Sequence, residues 1–181
     1  ECVTQGACFF NIEVTDCEYP QPGYNCDGNI LEIGNVAFGG IVFYIDETGQ
    51  HGLVAAFEDL PGTYQWGLFG INIDGADGEH IGTGNQNTLY IMNQQVCLAE
   101  NGEITAAQAA LDYEGGGYSD WYLPSINELI EMYSSLGING VELVSFSEFN
   151  TLPWPSGYWS STNYSNNEAY IVGFESGMSG G

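Results

Sequence analysis

Gly117-Tyr118-Ser119-Asp120-Trp121-Tyr122-Leu123-Pro124-Ser125-Ile126-Asn127-Glu128-Leu129-Ile130 carries the strongest local signal in the chain. Ser125 and Glu128 stand at capping-box spacing. In that motif the cap hydroxyl accepts the third helical N–H, and the third side chain reaches back to the cap N–H. Ile126, Leu129, Ile130 and Tyr133 then recur at helical spacing, so a helix opens after Ser125. Gly137 supplies its stop.

Working outward, Thr105-Ala106-Ala107-Gln108 repeats the capping pattern and predicts an alanine-rich helix to about Tyr113, ended by Gly115-Gly116-Gly117. Asn85 to Val96 is a third helical candidate. Residues 58 to 84 before it are rich in Gly, Asp and Asn, contain Trp66, and read as a long ordered loop of the kind that carries function or metal. Ile41-Val42-Phe43-Tyr44-Ile45 and Leu53-Val54-Ala55-Ala56-Phe57 flank Asp46-Glu47-Thr48-Gly49-Gln50 and predict a hairpin buried on both faces. Tyr158 to Thr162 and Ala169 to Phe174 read as strands around turn residues 163 to 167. Strands, helices, then strands predict an α+β domain of two to three helices and a small antiparallel sheet, the hairpin pairing with the C-terminal strands. The ending Gly177-Met178-Ser179-Gly180-Gly181 does not close a sheet by itself and leaves room for a missing last strand.

Composition sets the outer bounds. The 181 residues include 24 Asp plus Glu and no Lys or Arg, a formal charge of -24. Average usage predicts about 20 cations in such a chain. Guanidinium forks for phosphate or sulfate are therefore missing, and the surface repels nucleic acid and anionic lipid. With 44% apolar and 14% aromatic residues, the chain has the makings of a folded core. No run of 18 apolar residues occurs, so no membrane insertion is expected. The opening Glu1-Cys2 has neither basic nor apolar leader, as a processed product or an excised fragment would.

Residues 1–32 read as a separate cap, with 33–181 as the main domain. Cys2, Cys8, Cys17 and Cys26 do not have zinc-finger spacing, and Tyr19-Pro20-Gln21-Pro22-Gly23-Tyr24 is too rich in proline for regular structure. Disulfides are therefore expected to order the cap, in any of three pairings, in an oxidising extracytoplasmic setting. Cys97 is either a small buried apolar residue or the partner of one cap cysteine.

Three segments together resemble one family: Gly39-Gly40-Ile41-Val42-Phe43-Tyr44, Gly117 to Ser125 followed by Glu128-Leu129, and Tyr158-Trp159-Ser160-Ser161-Thr162. They are similar to the Fibrobacter major paralogous domain and the related C-terminal domain of the Legionella collagen-like adhesin, over roughly residues 33 to 176. The cap is similar to Cys-rich repeats of secreted proteins from gliding, surface-decorating bacteria. The resemblance implies a C-type-lectin-like fold displayed at the bacterial cell surface, without established catalytic residues. This chain departs from that pattern at Tyr122 and Ile126, where family members carry basic residues nearby, and it lacks their arginine-containing last strand. The binding of sulfated glycans known in one branch needs positive surface, so it does not carry over.

Candidate chemistry is sparse. Asp74, Asp77 and Glu79 share a turn with Gly75 and Gly78, and hard oxygens on such a turn suit Ca2+. A solvated acidic turn is the alternative, since the EF-hand spacing is absent. Trp154, held between Pro153 and Pro155, and Tyr158 are the candidate platforms for stacking a glycan. Trp121 and Trp159 read as core residues whose indole N–H groups need partners. No zinc cluster, nucleophile elbow or singled-out carboxylate pair appears, so no enzyme is expected. The expectation is a secreted, non-enzymatic module that acts by contact, adhesive or structural, and self-associates into an extracellular assembly. A calcium-dependent carbohydrate-binding module is the alternative.

Overall fold

The computed structural model describes residues 30–67, 72–94, 102–137, 157–165, 168–174 and 179–180. The cap cysteines Cys2, Cys8, Cys17 and Cys26, together with Cys97 and Trp154, lie outside the described residues. What is described is a mixed α+β domain with two small antiparallel sheets and three helices.

The first sheet is β1 (Val36–Ala37), β2 (Gly40–Ile45) and β3 (Gly52–Ala55), in that order. The predicted hairpin is β2–β3, and its turn is built on Asp46. That carboxylate accepts from Thr48 Oγ1 at 2.8 Å and from Gln50 N at 3.1 Å. The Thr48 hydrogen bond above all holds the Asp46 carboxyl below its ordinary range. Ile41 pairs with Ala55 and Val42 with Val54, but Tyr44 pairs with Leu53, which leaves Phe43 as a bulge. Ile41, Val42 and Phe43 are thereby all buried in succession. In β3, by contrast, only Ala55 is fully buried, so burial on both faces holds for β2 alone.

Three helices follow: α1 (Gly84–Asn93), α2 (Ala106–Leu111) and α3 (Ile126–Leu136). At α3 both halves of the capping box are present. At α2 only half forms: Thr105 accepts from Gln108 N, while the Gln108 side chain donates to Asp112 Oδ1 at 2.6 Å instead of reaching back. Gly137 does close α3, but with φ -67 and ψ -172 rather than in a left-handed conformation. Its N–H donates to Tyr133 O at 2.7 Å, and a Cβ there would meet that same carbonyl.

The second sheet is β4 (Tyr158–Ser165), β5 (Glu168–Val172) and β6 (Ser179–Gly180). One expectation is corrected here. Within the glycine-rich ending, Ser179 and Gly180 form β6, which pairs with β5. The hairpin, however, does not pair with the C-terminal strands: there are two sheets, not one. Two of the edges that such pairing could use are already occupied. β1 covers the outer edge of β2, with Val42 N donating to Asn35 O at 2.9 Å. On the free side of β4, Ser161 N donates to Pro124 O and Asn163 N to Ala76 O, both at 2.7 Å. Loops thus take the hydrogen bonds that a further strand would have made.

Helix α3 holds the sheets together. Leu136 and Met132 pack with Ile41, Phe43 and Ala55 of the first sheet. Ile126 and Leu129 pack with Val172 and Phe174 of the second. Each such fully buried side chain contributes roughly 1.5–3 kcal/mol. A third cluster, Ile73, Ala76, Ile91 and Ala107 with Trp66 beside it, joins the 72–79 loop to α1 and α2.

The buried side of β4 is polar. Ser160, Ser161 and Thr162 are all buried. Thr162 Oγ1 donates to Gly78 O at 2.8 Å and accepts from Ile126 N at 3.0 Å, whereas Ser161 Oγ is buried with no hydrogen-bond partner. Thr162→Val should therefore destabilise by about 2–3 kcal/mol, by stranding the Ile126 N–H, while Ser161→Ala should be neutral or stabilising by up to about 1 kcal/mol. Urea unfolding of the two variants checks the contrast; equal losses in both would contradict it.

Candidate functional site

Between the first sheet, segment 58–64, α2, segment 118–124 and the start of β4 lies a cavity of about 940 Å3. Its floor is core: Val42, Phe43, Ala55 and Leu129. Its walls are aromatic, from Tyr64, Tyr113, Tyr118, Trp121, Tyr122 and Trp159, all half-buried. Carboxylates of Glu58, Asp59 and Asp120 also line it.

Each wall is fixed by a local device. Trp121 stands edge-to-face against Tyr113, with ring centroids 5.4 Å apart. Its indole N–H lies 3.2 Å from both Gly115 O and Tyr118 O, so the glycine triplet serves as its acceptor. Gly40 lies beside the ring: a Cβ there would collide first with Ala55 O of the paired strand and would stand 3.1 Å from Trp121 Cη2. Trp159 donates to Tyr64 O at 2.8 Å and Trp66 to Ser160 O at 2.8 Å, tying the 58–67 segment to β4. Both indole N–H groups find backbone partners, but Trp121 and Trp159 are half-buried on the cavity wall and belong to none of the core clusters, so the expectation that they are core residues is corrected.

Carboxylates outnumber basic groups on the lining, where His51 contributes an imidazole. Burial raises the Tyr113 phenol, and the Glu58 carboxylate adds to it. Burial raises Tyr122 far more, with Glu128 and then Asp120 adding to it. Glu128 is wholly buried beneath Tyr122. Its Oε1 accepts from Gly82 N at 2.7 Å and its Oε2 from Ser125 N at 2.8 Å. A cavity with aromatic faces, phenol donors and carboxylate acceptors can stack on apolar surface and accept hydrogen bonds from hydroxyls. It offers no lysine or arginine to an anion, because the chain has none.

Of the sequence candidates, Tyr158 is on this wall. Its hydroxyl lies 2.9 Å from both carboxylate oxygens of Asp59, and its ring packs 4.7 Å from Phe174. Asp74, Asp77 and Glu79 lie elsewhere, exposed on the loop beside α1. Asn72 Nδ2 donates to Asp74 Oδ1 at 3.0 Å, and Gln94 clasps the Asp74 backbone through Oε1 at 3.1 Å and Nε2 at 2.8 Å. Among the described residues no three His, Cys, Asp or Glu side chains are grouped to hold a metal ion. Sequence reasoning missed Tyr64, Tyr113, Tyr118 and Tyr122 as a set. The available signal was the density of aromatics around the glycine triplet, too high for a mere helix stop.

No family model, curated protein or solved structure matches this chain. Within the fold, Pro124 and Ile126 meet β4, and Gly40 lies beside Trp121.

Tyr122 gives this site a pH signature. The folded state keeps its proton above the ordinary tyrosine value, whereas the unfolded chain releases it near pH 10. Its contribution is complete below that pH and is lost as pH rises beyond it. Wild type should lose stability more steeply above about pH 10 than Tyr122→Phe. Parallel curves from alkaline denaturation followed by circular dichroism would contradict the assignment.

Proposed function

We propose that this chain is a secreted, non-enzymatic surface module that acts by contact, with the aromatic cavity as its binding site and uncharged carbohydrate as the ligand class. The cavity is the observation that carries this reading: apolar faces for the C–H side of a sugar, with carboxylate and carbonyl acceptors for its hydroxyls. The charge narrows it further. Sulfated and sialylated glycans would enter a site lined by Glu58, Asp59 and Asp120 without one lysine or arginine to meet them. The C-type-lectin-like relationship implied by the motif segments, display at a bacterial surface and self-association into an assembly belong to the same proposal. They are supported by the sequence features rather than by the cavity.

A glycan array read in Ca2+ and again in EDTA tests it. Neutral glycans should bind, anionic ones should not, and EDTA should leave the signal intact. Signal lost in EDTA would instead assign recognition to the Asp74, Asp77 and Glu79 turn. An array blank in both conditions, or one dominated by sulfated glycans, would sink the reading.

A further inference from the structure

We infer that Phe38 is a ligand-contacting residue of the cavity, held there by a backbone conformation that costs the fold stability; the inference rests on the cavity being the binding site. Phe38 has φ 51, and among the described residues it is the sole non-glycine with positive φ. With Gly39 at φ 75 and Ala37 paired to Gly40, residues 38 and 39 form the two-residue turn between β1 and β2. Turns of this geometry take Asn, Asp or Gly at the first position, because those residues tolerate or are unhindered in the left-handed region. A phenylalanine has neither advantage.

Such a residue persists where its surroundings over-determine it. Here they do. Gly39 is wedged against the glycine triplet: a Cβ on it would stand 2.5 Å from Tyr118 Cδ2 and 3.0 Å from Gly116 O. A Cβ on Gly116 would in turn meet the backbone of Gly39. Behind the turn, Gly34 N donates to Val42 O at 2.8 Å and Val42 N to Asn35 O at 2.9 Å. The turn cannot relax without breaking this seat.

Among the described residues, core packing does not account for the ring. Phe38 belongs to none of the three core clusters and is half-buried, and it lines the cavity that Tyr118 and Trp121 also line. A large apolar side chain in a disfavoured conformation, outside the core and at the cavity, fits a residue kept for contact with a ligand.

The test uses Phe38→Asn, which suits the left-handed backbone but lacks the ring, and Phe38→Tyr, which keeps it. Cellohexaose, mannohexaose and N-acetylated chitohexaose serve as neutral probes in titration calorimetry, beside thermal melts of each protein. For whichever probe wild type binds, Phe38→Asn should weaken affinity roughly tenfold while its melting midpoint stays level or rises, and Phe38→Tyr should retain affinity. Unchanged affinity in Phe38→Asn overturns the role of Phe38 and leaves the cavity reading standing. A clear drop in its melting midpoint overturns it too, by showing the ring to be structural. Wild type binding none of the probes overturns this inference together with the cavity's proposed ligand class.

Discussion

The buried start of α3 is the constraint on which the rest of this molecule depends. The first N–H groups of a helix have no partner within it, and burying them unpaired costs about 1–3 kcal/mol each. Here every one is met from a different quarter. Ile126 N donates to Thr162 Oγ1 of β4, Asn127 N to Glu79 O of the long loop, and Glu128 N to the Ser125 hydroxyl of the cap. The helix thus cannot be seated unless β4 and the 72–84 loop are seated with it.

The same interaction explains why that loop is ordered at all. A long stretch rich in Gly and Asp has little apolar surface to bury, so its backbone must be held by other means. Gly78 O accepts from Thr162 Oγ1 and from Asn87 Nδ2, the latter at 2.6 Å, and His80 O accepts from Ser125 Oγ at 3.0 Å. Gly82 N goes to Glu128. The side chains facing inward from the loop, Ile73 and Ala76, are buried, while Asp74, Asp77 and Glu79 face solvent. Order in this loop accordingly follows from capture of its backbone. Glu128 meets the cap N–H through the capping box and Gly82 N through the loop. Where most proteins would oppose a buried carboxylate with Lys or Arg, this chain has neither, and two backbone N–H groups take that place.

Legibility in the sequence tracks the range of the interactions. The α3 capping box, the β2–β3 hairpin and the strand pair β4–β5 rest on partners close in sequence, and pattern alone reveals them. What pattern does not reveal is who covers an edge. The split into two sheets depends on Pro124 and Ala76 reaching β4, and the β1 strand depends on an unusual Phe38-Gly39 turn. Half of the expected box at Thr105 failed because Gln108 found Asp112 one helical turn away. For the site, Tyr158 was legible as an aromatic beginning a strand. The remaining wall comes from four separated segments, so only their assembly exposes it. The glycine triplet shows the limit well: it reads as a helix stop, yet it also supplies a carbonyl for Trp121 and a seat for Gly39.

Charge without counter-charge finally acts on two scales. Over the whole surface, a formal -24 keeps anionic polymers away at long range, but salt at physiological strength screens that field within about 8 Å. What remains at the cavity is local: Glu58, Asp59 and Asp120 beside aromatic and apolar walls. Glu58 and Asp120 are exposed, and the carboxylate of Asp59 faces the Tyr158 hydroxyl. The global charge acts at a distance, and these three groups act at the cavity. Of the three, only Asp59 is held away from bulk solvent, so salt that screens the surface field also reaches Glu58 and Asp120.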